Sequence, residues 1–159
     1  MYPIGADLAL LIIRVAVGLI IAAHGAQKLF GVFGGPGLAK FQGMVASMGF
    51  VQPRVMGTLA AFTEFFGGLA LAIGLYLPVV AAMLCVDMLV AVFKVHAPKG
   101  FFVQGGGYEY PLLLAIVFAV IGVVSDPVFF AVALVVGAGL TLVAATIGSP
   151  AEVRRAAPR

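Results

Sequence analysis

The stretch "LALLIIRVAVGLIIAAHGAQ", Leu8 to Gln27, decides the fold: it has twenty residues and a single formal charge, Arg14. About 20 apolar residues in a helix cross the ~30 Å hydrocarbon core of a bilayer, so the segment reads as a transmembrane helix. It closes on "KLFG", which sets His24, Gln27 and Lys28 within five positions of one another. The apolar run is longer than the core of a signal peptide and has no basic residue ahead of it, so it reads as a retained span.

The rest of the chain agrees. Of 159 residues, 64% are hydrophobic and 9% charged, against about 25% charged in soluble domains. Such a composition excludes an ordinary soluble core. Glycine is abundant, at 21 residues, as in membrane helices whose backbones approach closely. The one cysteine, Cys85, excludes a dithiol relay within this chain. The net charge of +3 reflects membrane topology and does not indicate nucleic-acid binding.

Four further segments are apolar enough to span. They are residues 55–77 with Glu64, 78–97 with Asp87 and Lys94, 108–125 with Pro111 in its first turn, and 128–147 with no charge. The first span extends over residues 8–29. Residues 37–48 are too polar to span, but Leu38, Phe41, Val45 and Met48 share one helical face. A short interfacial helix is expected there. The fold class is therefore an all-α integral membrane protein of one domain. It has a four-helix transmembrane core, a fifth C-terminal span, an interfacial helix between the first two spans and a tail at 148–159.

Five spans put Lys28, Lys40, Arg54, Lys94, Lys99, Arg154, Arg155 and Arg159 on one side of the membrane. The positive-inside rule makes that side the cytoplasm, with the N-terminus outside. The expected location is a bacterial cytoplasmic membrane.

Ionisable groups inside a bilayer cost roughly 2.5–3.5 kcal/mol each at mid-depth, so they are expected in pairs or at a cavity. Counted at 1.5 Å per residue, Arg14 and Asp87 lie at about the same depth, 10–14 Å, and an intramembrane Arg14–Asp87 ion pair is expected. In the other half of the bundle His24 and Lys28 stand one turn apart, Glu64 lies within reach, and Lys94, His96 and Glu109 arrive at the same layer. His24, Lys28, Glu64, His96 and Glu109 are the candidate pocket residues. His96 points away from the Asp87–Lys94 face unless its helix ends near Pro98 with some rotation. The small-residue stripe Gly57, Ala61, Glu64, Gly68 turns this polar layer inward. An apolar slot with a few polar groups at headgroup depth suits a quinone. Two histidines are a thin inventory for haem, and neither haem nor a metal site is expected.

Three motifs in order resemble the DoxX family of small bacterial membrane proteins. They are "RVAVGLIIAAHGAQKLFG", with HG-x-x-K at His24, Gly25 and Lys28; "TEFFGGLALAIGL", with Glu64, Gly67, Gly68 and Leu71; and "VHAPKGFFVQGGGYEYPLLL", with His96 and Glu109. The resemblance extends over about Leu8 to Ser125. It implies a four-helix core. It also implies an association with quinone-linked oxidation, as in the DoxD-type thiosulfate:quinone oxidoreductase subunit, and with redox-stress complexes. The chain departs from the family after "GVVSDP", where a fifth apolar span and an arginine tail follow. No flavin or haem motif accompanies the match, and no catalytic residue is assigned.

Two classes of function fit these residues. One is a redox-linked membrane subunit that binds a quinone or other lipophilic ligand. The other is a non-catalytic anchor for soluble redox partners, or a small-molecule permease. The lipid bilayer, a soluble partner on the cytoplasmic face and a second copy of the chain are the partners in view.

Overall fold

A computed structural model of the chain describes residues 4–146. Among the described residues it is all-helical, with six helices: α1 (Ile4–Phe30), α2 (Gly37–Ser47), α3 (Pro53–Ile73), α4 (Leu77–Lys99), α5 (Glu109–Ser125) and α6 (Pro127–Thr146). Four of them, α1, α3, α4 and α6, are long and apolar enough to cross a membrane. The protein is thus a multi-pass helical membrane protein. α5 has 17 residues, about 26 Å at 1.5 Å per residue, a little short of the ~30 Å hydrocarbon core. The end of the expected last span, Ile147, and the tail at 148–159 lie outside the described residues.

Local sequence sets the helix ends. Gly74 takes φ +83° after α3, and Leu75 N–H returns to Ala70 C=O at 2.8 Å. This left-handed closure favours a residue without a Cβ. Pro78 sits in the first turn of α4, where its missing N–H costs nothing. Between α5 and α6 the Asp126 carboxylate accepts hydrogen bonds from Val128 N–H and Phe129 N–H, both at 3.0 Å. Such caps contribute about 1 kcal/mol, so Asp126→Ala should lower stability by about that much in a denaturation series, with Asp126→Asn losing less.

Packing follows small residues. The buried face of α1 is Gly18, Ile21, Ala22, Gly25 and Ala26, and it lies on the buried α3 stripe Gly57, Ala61, Glu64, Gly68, Leu71. A Cβ on Gly18 would stand 2.6 Å from Gly68 O, and one on Gly68 2.6 Å from Ala22 N. The two backbones touch because neither residue has a side chain. α4 is the central helix: it packs on α3, α5 and α6, and Leu84, Phe118, Ile121, Leu71 and Ile21 are its fully enclosed neighbourhood. Large apolar side chains such as Leu8, Ile12, Leu59, Ile116 and Leu140 point outward. On a soluble protein that would be a liability, whereas in a bilayer it is the lipid-facing surface.

Two helices widen to π turns, at Thr63–Gly67 in α3 and Val92–His96 in α4. A π turn inserts an extra residue and re-aims the side chains beside it, and such turns concentrate at functional sites. Glu64 lies in the first, and Lys94 and His96 in the second.

Candidate functional site

Lys28 lies in the last turn of α1, at the level where Gly25 meets the backbone of Phe65. That contact sets the Lys28 side chain beside the π turn of α3. Its ammonium donates to Glu64 Oε1, forming the single ion pair among the described residues. Glu64 is 2% exposed and is the one buried charged residue among those described. The Lys28 ammonium also lies 4.9 Å from the centroid of the Phe41 ring, a cation–π contact supplied by α2. Phe41 is itself buried, within a cluster of Val45, Phe50, Met56 and Ala61. α2 therefore lies over the ion pair as an aromatic cover.

The second oxygen of Glu64, Oε2, has no donor among the described residues. Gly67 of α3 packs against Leu84 of α4, so that Asp87, three residues further along α4, comes level with Glu64, three residues back along α3. α1 and α3 thus hold one ammonium against one carboxylate, with a second carboxyl at the same level of α4.

This geometry corrects the expected pairing of Arg14 with Asp87. The guanidinium of Arg14 lies against Gly74, 2.9 Å from the position a Cβ would take there, and Arg14 Nε finds no partner among the described residues. α1 and α3 run antiparallel, so Arg14 is level with the end of α3. Asp87 is level with Glu64 and Gly25, eleven residues or about 16 Å further along α1. Depths counted from the first apolar residue of each span do not share an origin. α1 begins earlier, at Ile4, and α4 begins beside Gly74, at Leu77, so equal counts do not mean equal depths.

The other candidates separate. His24 is exposed although it is one turn from Lys28, and its ring stands 6.1 Å, centroid to centroid, from that of Tyr110 on α5. His96 Nδ1 hydrogen-bonds Gly106 C=O at 2.6 Å. Glu109 Oε1 accepts from Val103 N–H at 2.9 Å. Both therefore organise the loop between α4 and α5, where Gly106 takes φ +78°, rather than joining the Lys28 layer. Lys94 is exposed and lies 5.9 Å from the Phe50 ring. α1 has little contact with α5. At the foot of α5 a groove of about 440 Å³ is lined by Phe101, Val103, Glu109, Tyr110, Leu113 and Ile116, among others.

Three participants are harder to see from sequence. Phe41 is legible only as one member of an apolar face. Asp87 is paired there with Arg14, which lies against Gly74 instead. Tyr110 stands next to Glu109 in the "YEYP" run, but nothing in that run marks it.

A helical membrane bundle with one lysine–glutamate ion pair inside it, under the short helix α2, is the class that these features define. A model of the DoxX family matches residues 9–97, more than half of the chain. The protein belongs to the DoxX family. The match takes in Lys28, Glu64 and Asp87, as well as His24 and His96, and it stops before the loop and α5, short of the Ser125 limit expected from the motifs. Comparison with curated proteins and with solved structures returned no match.

Proposed function

We propose that the protein is a redox-linked membrane component that binds a quinone or a similar lipophilic ligand at the cytoplasmic half of the bundle. The observation that carries this reading is the Lys28–Glu64 pair, its carboxylate buried and its lysine partly so, set in a largely apolar interior. A permanent charge pair there costs several kcal/mol of desolvation, and a hydrophobic pair would serve packing as well. A ligand head group with carbonyl or hydroxyl oxygens gives the pair a use. The ligand enters between α1 and α5, past His24 and Tyr110. Lys28 stabilises negative charge on its oxygen, and His24, exposed to exchange, carries a proton. His96 and Glu109 shape the loop at the groove. The test is a native mass spectrum of the detergent-purified protein. A retained quinone that is lost in Glu64→Gln supports the reading. A wild-type protein that retains nothing when purified from quinone-replete membranes favours the second reading, a non-catalytic anchor for soluble redox partners.

The same reading takes α5 as a span, completing five, in a bacterial cytoplasmic membrane. Its support is the distribution of Lys and Arg and the packing of α5 along α4. A reporter fused after Arg159 should be active only as a cytoplasmic fusion. Efficient periplasmic activity at that position would remove α5 from the spans.

A further inference from the structure

The groove at the foot of α5 lies apart from the Lys28–Glu64 pair: the residues that line it run from Phe101 to Ile116 and belong to α5 and the loop before it. Its volume of about 440 Å³ falls in the usual range of small-molecule sites. Glu109, Leu112, Leu113 and Ile116 follow at i, i+3, i+4 and i+7, one face of α5. From Glu109 to Ile116 that face rises about 10 Å. Glu109 is the one charged residue in the described lining, and it stands in the first turn of α5. Leu113 and Ile116, each more than half exposed, carry the groove along the lipid-facing surface. The groove is thus polar at one end and apolar at the other, as an amphiphile in a bilayer leaflet is.

The loop wall of the groove is clasped to the start of α5. Glu109 N–H donates to Phe101 C=O at 2.9 Å, and Tyr108 N–H to Gly100 C=O at 3.1 Å. Val103 N–H donates to Glu109 Oε1 at 2.9 Å. A Cβ at Gly107 would stand 2.3 Å from Gly100 O, so the two ends of the loop touch because Gly107 has none. These contacts fix Phe101 and Val103 against the foot of α5 and hold the Glu109 carboxylate at the polar end. A preformed wall spares a ligand the cost of ordering it.

Charge decides the occupant. A carboxylate accepts hydrogen bonds and gives none, whereas a primary ammonium has three N–H donors. A neutral apolar chain alone would desolvate Glu109 without return, and an anionic head group would be repelled by it. The rings of Phe101 and Tyr110 in the same lining suit a cation further. The loop also carries Lys99, whose side chain lies over Gly106 and whose ammonium suits a phosphate next to such an amine. We propose that the groove binds a membrane phospholipid through a protonated primary amine on its head group. The amine is held by Glu109, and one acyl chain lies along Leu113 and Ile116. This site does not depend on any ligand at Lys28 and Glu64, and it is tested without quinone.

The experiment is native mass spectrometry of the full chain released from quinone-free nanodiscs. The discs hold equal parts of dioleoyl phosphatidylethanolamine, phosphatidylglycerol and phosphatidylcholine. The expected result is one retained phosphatidylethanolamine per chain, preferred about tenfold over each of the others, which corresponds to about 1.4 kcal/mol. Phosphatidylcholine is cationic at nitrogen but has no N–H, so it separates hydrogen bonding from charge alone. Glu109→Gln keeps an oxygen for Val103 N–H and should lose the preference. Leu113→Trp, on the lipid-facing surface, fills the apolar end and should lower retention. Asp7→Asn, at an exposed carboxylate, should leave both unchanged. If Glu109→Gln fails to fold, Leu113→Trp decides. Equal retention of the three lipids by the wild type, or a phosphatidylethanolamine preference that survives Glu109→Gln or Leu113→Trp, would overturn the proposal. So would preferred retention of phosphatidylglycerol, which would assign the lipid contact to a cation such as Lys99.

Discussion

Lys28→Met is expected to destabilise the protein by about 3–5 kcal/mol, the usual cost of leaving one member of a buried ion pair without its partner. Glu64 is 2% exposed, so it cannot turn to water when the ammonium is gone. Methionine fills much of the same volume and keeps an apolar contact with Phe41, so the loss reports charge rather than a hole. Glu64→Met alone should cost less, because the Lys28 side chain is 24% exposed and can reach the interface by straightening. The double variant Lys28→Met with Glu64→Met should recover much of the loss, as apolar replacements of buried pairs do elsewhere. Chemical denaturation in detergent micelles, read as a double-mutant cycle, measures the coupling directly. Strictly additive losses would mean that the two side chains do not depend on each other.

The second large effect lies where α1 crosses α3. Gly25→Val should cost about 3 kcal/mol or more, because overpacking at a tight contact forces the backbone to move. A Cβ at Gly25 would stand 2.6 Å from Phe65 Cα and 2.7 Å from Phe65 Cβ. The obstacle is backbone rather than a flexible side-chain tip, so it does not yield locally. Separating the helices here also draws Lys28 away from Glu64, and the ion pair is lost with the packing. Gly43→Ala, in α2 with nothing within 4 Å of the new methyl, is the matched control. It should be neutral or stabilising by up to about 1 kcal/mol through helix propensity. Thermal unfolding of the two variants beside the wild type separates a specific crossing from a general dislike of substituted glycines.

These two sites mark how far the sequence carries. The apolar runs are legible because a bilayer demands length and hydropathy, and the helices accordingly occupy 4–30, 53–73, 77–99 and 127–146. The inward stripe of α3 is legible because small residues recur at helical spacing, and each of Gly57, Ala61, Glu64 and Gly68 is buried. Contacts between helices are less legible, because they depend on axial offset. Arg14 and Asp87 match in residue count but not in height, since α1 starts well before its hydrophobic face meets α3. The divergence of His24 from Lys28 has a different cause. An i, i+4 pair shares a face only to within the width of that face, and α1 meets α3 on one edge of it while the other edge turns His24 outward, toward Tyr110. The π turns escape a sequence reading altogether, because a widened turn has the same residues as a regular one.

The role proposed for the Lys28–Glu64 pair is to serve a ligand rather than packing alone. The direct measurement is the affinity of a short-chain quinone for the wild-type protein and for Glu64→Gln in nanodiscs, followed by quenching or calorimetry. Glutamine keeps the shape of Glu64 and removes its charge, so the variant is expected to fold. Its affinity is expected to fall by about tenfold or more, which corresponds to about 1.4 kcal/mol. A folded Glu64→Gln protein with unchanged affinity would contradict the ligand role and leave the cluster as internal structure.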